Sequence, residues 1–395
     1  MKVVFLAPFG IRPKGTLFAR MLPLASTLQG LGHEVVIIAP PYTNPEDAGR
    51  TEVVRGVPVR NILLGPRNRA LAAPLLAWRM FRAALDEAPD LIHLFKPKGY
   101  GGLAVMLMWI CARSGIRIPP LFLDSDDLEG DGGMNQRLDY SLVERRLYAW
   151  QEKSLPPRMV GVTVASRALE ELYLEKGTAR DRLLYLPNCV EERPPGDGAG
   201  TRKKLGIAPD APLLLLYTRF FEFEQERLYY VLSGICRRVP DVRILVVGKG
   251  PQGEEKRLVA ASFEGGFGDA LNMAGWVAPG DLPDYLAAGD AAIYPFADNR
   301  INRAKCPAKL TELIVSGVPV VADRVGQIPE YTAPQLRELL CAADDGDEMI
   351  EKSVRLLTDE QWRRKASQIG REFIIANFAW VEHARRLNDL YRRLV

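Results

Sequence analysis

Histidine is scarce in this sequence, with three residues in 395, at positions 33, 93 and 383. Ligands so few and so far apart do not suggest a His-based metal centre. Five cysteines (111, 189, 236, 306 and 341) form no C-x-x-C pair. This argues against a zinc ribbon or a disulfide frame, and for small core residues in a reducing compartment. Neither sign of charge is in excess. There are 52 Lys+Arg against 49 Asp+Glu, a formal net charge of +3, and this gives no support to nucleic-acid binding. Long apolar runs are missing too. The longest, "GGLAVMLMWICA" (101–112), is too short to span a bilayer. The opening "MKVVFLAPFG" lacks the length and cleavage site of a secretory leader. A cytoplasmic protein is expected. Short-period repeats and low-complexity tracts are also lacking.

What remains is ordinary globular composition, 47% hydrophobic and 26% charged. A chain of this length suits about two domains, each able to bury its own core. "VVFLAP" (3–8), "EVVIIAP" (34–40), "LIHLF" (91–95), "PLFLD" (120–124) and "GVTVAS" (161–166) read as strands buried on both faces. Stretches 16–31, 101–113, 139–153 and 167–176 read as helices between them. At 183–200, "LLYLPNCVEERPPGDGAG", a strand gives way to a Pro/Gly/charge-rich stretch. The pattern then restarts with "LLLLYTR" (213–219), "VRILVVGKG" (242–250), "AAIYPF" (291–296) and "VPVVAD" (318–323). An α/β architecture follows, of two tandem Rossmann-like doubly wound domains facing a central cleft. Its expected parts are a first domain over 1–190, a linker over 191–200, a second domain over 201–378 and an amphipathic terminal helix over 379–395. Ligands of such sheets sit beyond the carboxyl ends of the strands, so one ligand per domain is expected.

Several segments at those ends could carry chemistry. In "APFGIRPKGTLFAR" (7–20), Gly10 and Gly15 bracket the first turn before a helix. This arrangement lets backbone N–H groups approach an anion. It is not G-x-G-x-x-G, and a simple tight turn also accounts for it. "YTRFFEFEQER" (217–227) leaves Arg219 at a strand end, where a guanidinium can pair with phosphate. "VVGKGP" (246–251) is a second Gly-rich exit. Within 299–331, Arg300, Arg303, Lys305 and Lys309 gather near a helix start, with Glu312 behind. Such a cluster suits a diphosphate, and a solvated basic loop is the plainer alternative. Residues 51–120 carry ten Lys/Arg against four Asp/Glu. Within them, "PRNRALAAPLLAWRMFR" (66–82) reads as a packed helix with solvated arginines or as a peripheral contact with anionic lipid. "LFLDSDDLEGDGG" (121–133) contains Asp124-Ser125-Asp126, a D-x-D pattern that suggests a divalent metal.

The run "KLTELIVSGVPVVADRVGQIPEY", preceded by "LPNCV", "VVGKGP" and "AGWV…LPDYL", resembles the family 4 glycosyltransferases of the GT-B fold. The resemblance covers nearly the whole chain and is strongest in its second half. It implies a second domain that binds a nucleotide-diphosphate sugar and a first domain that binds the acceptor. It also implies retention of anomeric configuration, no metal and no other cofactor. By the same resemblance, Glu312 would hold the ribose hydroxyls, Arg219 the diphosphate, and Gly15 would lie close to the phosphate. Val277 would sit where the base is read, and Gly248 and Gly250 would line the nucleotide cleft. The terminal helix would cross back onto the first domain.

Three positions depart from the family pattern. Ala304 stands where a first glutamate is usual. Glu224 and Gln225 stand where a lysine often follows the arginine, which leaves the charge to Arg219 with Lys309, Lys305 or Arg303. Asp126 stands where a histidine is common, as a candidate to orient acceptor or donor sugar. Against a metal at 124–126, the donor signals lie in the other half of the chain. The implied reaction clamps the leaving diphosphate with Arg219, Lys309 and helix N-termini. Alternatives on the same fold are a nucleotide-sugar epimerase and a catalytically silent nucleotide-sugar-binding partner. The acceptor could be a glycan, a lipid-linked molecule or a small molecule, and "FKPKGYGG" (95–102) hints at an anionic one.

Overall fold

The computed structural model describes residues 1–12, 17–66, 68–137 and 139–395, with backbone alone at 69 and 70. The chain forms two compact units. One comprises Met1–Cys189, Ala304–Cys306 and Trp380–Val395, the other Val190–Arg303 and Pro307–Ala379.

The first unit is built on eight strands: β1 (Lys2–Leu6), β2 (Glu34–Ala39), β3 (Thr51–Val54), β4 (Val57–Asn61), β5 (Leu91–Phe95), β6 (Leu121–Ser125), β7 (Gly161–Val164) and β8 (Leu183–Tyr185). They lie in the order β3-β4-β2-β1-β5-β6-β7-β8. All neighbours are parallel except the β3–β4 hairpin. Alternate residues of β1 serve opposite faces, as a two-residue period requires. Val3 and Phe5 join one core cluster, while Val4 and Leu6 join another. The order reverses between β1 and β5, so the unit's switch point lies at their carboxyl ends. The hairpin is absent from the strands read off the sequence. Its turn places Arg55 and Gly56 at positive φ, and "VPVRN" alternates with one face fully buried and is not a continuous apolar run.

The helix Trp380–Leu394 belongs to this first unit. Trp380, Ala384, Leu387 and Tyr391 repeat at helical spacing and enter the cluster that holds Phe5 and Phe122. Each large side chain so buried contributes about 2 kcal/mol. Tyr391 meets Phe122 edge-on, and its hydroxyl lies 2.5 Å from His93 Nδ1. Ala304–Cys306 packs here as well. The Ser166 hydroxyl donates to the Ala304 carbonyl at 2.7 Å, and the Asn188 amide donates to the Cys306 carbonyl at 2.7 Å.

The second unit has six strands: β9 (Leu213–Tyr217), β10 (Arg243–Val247), β11 (Leu271–Gly275), β12 (Ala291–Tyr294), β13 (Val320–Asp323) and β14 (Leu340–Cys341). They lie in the order β11-β10-β9-β12-β13-β14, with all neighbours parallel. Its order reverses between β9 and β12. Residues 191–200, read above as a linker, fall within this unit. Asp197 caps the helix Gly198–Lys204 by accepting from the Gly200 amide at 2.8 Å. Backbone at Gly196 and Gly198 passes so near Pro283 and Ala287 that a Cβ would come within 2.4 Å.

Among the described residues no helix is long and apolar enough to cross a membrane. The helix Arg69–Asp86 turns Leu76, Met80, Phe81 and Ala84 into the core and leaves Leu71 and Trp78 exposed. Arg79 is tied down, donating to the carbonyls of Leu63 and Leu64 at 2.9 and 2.6 Å.

Candidate functional site

At the switch point of the second sheet the chain leaves β9 and β12 around a hollow. Tyr217, Thr218, Glu222, Tyr294, Phe296 and Lys309 line it. The helix Ala308–Val315 runs past it, with Lys309 and Glu312 on one face, one turn apart. The Lys309 ammonium lies 4.9 Å from the centre of the Tyr217 ring. Burial, and then the charge of the hydrogen-bonded Glu312, push the Tyr217 phenol well above its ordinary value. Tyr217 thus stays a neutral donor that aims the Glu312 carboxylate.

The strand exits beside the hollow are fixed by backbone geometry. Arg219 is exposed at the end of β9, next to Phe220, whose φ is 66°. A left-handed residue that is not glycine costs on the order of 1 kcal/mol. Here the Phe220 amide donates to Thr218 Oγ1 at 2.8 Å. Gly248 has φ 120°, and a Cβ there would stand 2.0 Å from the Thr218 carbonyl oxygen. Its amide donates to the Gly275 carbonyl at 2.6 Å. The exits of β9, β10 and β11 are therefore locked to one another. The Gly250 amide donates to the Glu255 carboxylate at 3.1 Å. Val277 is half-buried, just after the exposed Trp276. Gly15 lies outside the described residues.

The four cations expected around one helix start are dispersed instead. Arg303 is exposed and grips Asp298, with Nη2 at 2.7 Å. Lys305 is buried in the first unit, where its charge acts on Asp127. Lys309 alone sits at the hollow. Pro307 separates the helices Arg300–Ala304 and Ala308–Val315, and so no single helix start collects the cations. Ala304, where a glutamate was expected, is buried among apolar side chains of the first unit.

The acidic run follows β6 in the first unit. Asp124 is clasped by Arg20, with Nε to Oδ2 at 2.7 Å and Nη2 to Oδ1 at 2.6 Å, and both side chains are 1% exposed. Arg20 also donates to the Leu186 carbonyl at 2.8 Å and to Asn188 Oδ1 at 3.1 Å. Asp124 is therefore held in a buried ion pair. Three of the other acids converge on Lys96. Its ammonium lies 2.7 Å from Asp126, 2.7 Å from Asp127 and 2.8 Å from Glu129, and Lys98 pairs with the second Glu129 oxygen. Among the described residues, those three carboxylates are the one group spaced for a metal ion, and a lysine cation stands among them.

Burial pushes the Asp126 carboxyl up to about 6, against the pull of Lys96. Burial acts the same way on Asp127 and Glu129, but Lys96 with its cationic neighbours overrides it and holds both below the ordinary range. Sequence reasoning missed Arg20 and gave Lys96 only a general cationic role. For Lys96 a signal existed, since "KPK" stands at a strand exit where ligand-facing groups gather. For Arg20 there was none, because an arginine in an amphipathic helix reads as solvated.

Comparison with known proteins fits this architecture. Residues 17–189 match the model of the glycosyl transferase 4-like domain, and residues 211–359 match that of glycosyl transferases group 1. A GDP-mannose-dependent alpha-(1-6)-phosphatidylinositol monomannoside mannosyltransferase of Mycobacterium tuberculosis is 28% identical over 220 residues. That match covers 53% of this chain and 56% of the relative, so the chain matches about half the length of that relative. The lipopolysaccharide core biosynthesis mannosyltransferase LpsB of Rhizobium meliloti is 26% identical over 92% of this chain and 98% of its own. Anabaena HepE, solved in complex with UDP and glucose, superposes with a TM-score of 0.75 over 100% of both chains at 19% identity. Two parallel α/β units, strand exits built like these and two adjoining family matches lead to one conclusion: the chain belongs to the GT4-like glycosyltransferases of the GT-B fold.

Proposed function

We propose that this protein transfers a hexose from a UDP- or GDP-sugar to an acceptor hydroxyl in glycan or glycolipid biosynthesis, with retention of configuration and without a metal ion. The observation that carries the donor half is the placing of Lys309 and Glu312 on one helix face beside the β9–β12 switch point. A cation and an oriented carboxylate there suit the two recognisable parts of a nucleoside diphosphate. Glu312 accepts from the ribose diol. Lys309, with Arg219 from the neighbouring exit, meets the diphosphate and stabilises charge on it as the glycosidic bond breaks. Gly248 lines the exit, Gly250 shapes the turn through Glu255, and Val277 presents backbone to the base. The family resemblance assigns Gly15 to the phosphate. Lys305 acts at one remove, through its charge on Asp127. Asp126 orients the incoming sugar from the first unit, a role that suits a carboxyl able to change protonation near neutral pH.

Named relatives support the donor class. One is a GDP-mannose-dependent enzyme and HepE was solved with UDP and glucose. The metal-free reading is supported by the Lys96 cation already standing among the only carboxylates, of the described residues, spaced for an ion. A cytoplasmic setting and a peripheral contact of Arg69–Asp86 with anionic lipid complete the proposal. The exposed Leu71 and Trp78 beside Arg82 support that contact.

The test is a panel of UDP- and GDP-sugars, with nucleotide release measured with and without candidate acceptors and with EDTA. Release from no member sinks the transferase reading. Activity lost to EDTA and restored by a divalent ion sinks the metal-free part. Glu312→Ala is expected to weaken nucleotide binding about tenfold or more, since charged hydrogen bonds are lost. Unchanged affinity rejects the ribose role. Failure to float with phosphatidylglycerol vesicles rejects the lipid contact.

A further inference from the structure

The first unit carries a hollow of its own, whose lining residues Gly130 and Asp131 directly follow Glu129 of the Lys96 cluster. It is an open groove of about 400 Å³ between the loop after β6 and the helix Leu142–Ser154. That volume falls within the range of small-molecule sites. Arg145, Arg146 and Lys153 line it against a single acid, Asp131. Trp150 presents an indole to it that is 46% exposed. At its base lies Asn135, 2% exposed, with neither amide nitrogen nor amide oxygen hydrogen-bonded.

An amide in that position is informative. A buried polar group left unpaired costs about 1–3 kcal/mol, and native folds rarely leave both ends of one side chain so. Hydrogen bonds and close backbone contacts hold the surrounding frame. Glu152 accepts from the Glu129 and Gly130 amides at 2.8 and 2.9 Å. Gly133 passes its neighbour so closely that a Cβ would stand 2.3 Å from the Leu128 carbonyl oxygen. Ser141 and Glu144 form a capping box that fixes where the helix begins. Asn135 is held in place by its loop, with its amide unmatched by protein.

We propose that this groove binds a phosphorylated sugar or polyol. The three cations supply the attraction for a phosphate. The Asn135 amide both donates and accepts, which suits a vicinal hydroxyl pair. Trp150 offers a flat apolar face to the C–H side of the ring or polyol chain. A bare inorganic anion would leave Asn135 and Trp150 without a function, and a neutral sugar would leave the cations without one. Under the transfer proposed above, such a ligand is the anionic part of the acceptor. Binding itself can be read without turnover, so it stands or falls separately from that reading.

The experiment is isothermal titration of the whole chain with myo-inositol 1-phosphate, mannose 6-phosphate, myo-inositol, mannose and inorganic phosphate. A parallel arm uses vesicles of phosphatidylinositol against phosphatidylcholine, and separates a lipid headgroup from a free sugar phosphate. The expected result is binding of a phosphorylated polyol, free or in vesicles, at least about tenfold tighter than its unphosphorylated form and than phosphate alone. The double variant Arg146→Gln/Lys153→Gln should weaken it about tenfold or more. Asn135→Ala should remove the preference over inorganic phosphate. UDP and GDP binding should be unchanged in both variants, which shows that they are folded. Equal binding of phosphate and sugar phosphate overturns the proposal. So does binding that survives the double variant, or no binding in either arm.

Discussion

Arg20 holds Asp124 by two hydrogen bonds of 2.7 and 2.6 Å across 104 residues of sequence, with both side chains 1% exposed. The pair ties the helical segment after β1 to the end of β6, and through Leu186 and Asn188 to the end of β8. Removing one partner strands the other charge in the interior. Asp124→Asn is therefore expected to cost about 3–5 kcal/mol in urea unfolding. Arg20→Met combined with Asp124→Leu should recover most of that loss. If the double variant is no better than the single one, the pair is more than an ion pair in an apolar setting.

Lys96 is shared by three carboxylates. With Lys96→Met, Asp126, Asp127 and Glu129 repel one another. Stability should fall by at least about 3 kcal/mol at pH 8 and by less at pH 5, where protonation relieves the repulsion. Calcium or magnesium should then raise the melting temperature of the variant and leave the wild type unmoved, since the carboxylates are spaced for an ion. Equal shifts in both proteins would contradict this account of Lys96.

Two buried groups give opposite pH dependences. Burial lowers His93 to about 4 from 6.5, and so the unfolded chain binds the extra proton between these values. Its contribution is complete above pH 6.5 and is lost as pH falls toward 4, about 3 kcal/mol in all. His93→Gln should lack that loss. Asp126 is raised to about 6 from 3.8, so here the folded state holds the proton more tightly. Its contribution is present at low pH and fades as pH rises through 6. Stability curves of wild type, His93→Gln and Asp126→Asn between pH 4 and 8 should separate with these two signs.

Gly248 is a test of the locked strand exits. A Cβ at 2.0 Å from the Thr218 oxygen, on a backbone with φ 120°, forces the β9 and β10 exits apart. Gly248→Ala should cost at least about 2 kcal/mol and weaken nucleotide binding more than an equally destabilising core variant does. Affinity intact at reduced stability would separate this glycine from the donor site.

The central strands of both sheets were legible in the sequence because continuous apolar runs are a local signal, while the outer strands β11 and β14 of the second sheet were not read. Boundaries moved by one to three residues, since "LLLLYTR" and "VRILVVGKG" contain both the strand and its exit. The hairpin Thr51–Asn61 was not legible because it alternates in period two at a sheet edge and offers no continuous apolar run. In the candidate site, Lys309 and Glu312 share a helix face by their spacing alone. Lys305, only four residues before Lys309, belongs to the other unit because a proline interrupts the helix between them.

The sequence by itself determined two α/β units and the placing of Arg219, Gly248 and Gly250 at strand exits. Those features follow from periodicity, turn chemistry and neighbours within one helical turn. Tertiary structure alone decided what each acid does. "DSDD" reads as one motif, yet Asp124 belongs to Arg20 in a distant helical segment and Asp126 to Lys96 across the next strand exit. It also decided that Asn135 would be buried with its amide unmatched. Partners of a buried polar group are chosen by whichever elements pack against it, and spacing along the chain carries no record of that choice.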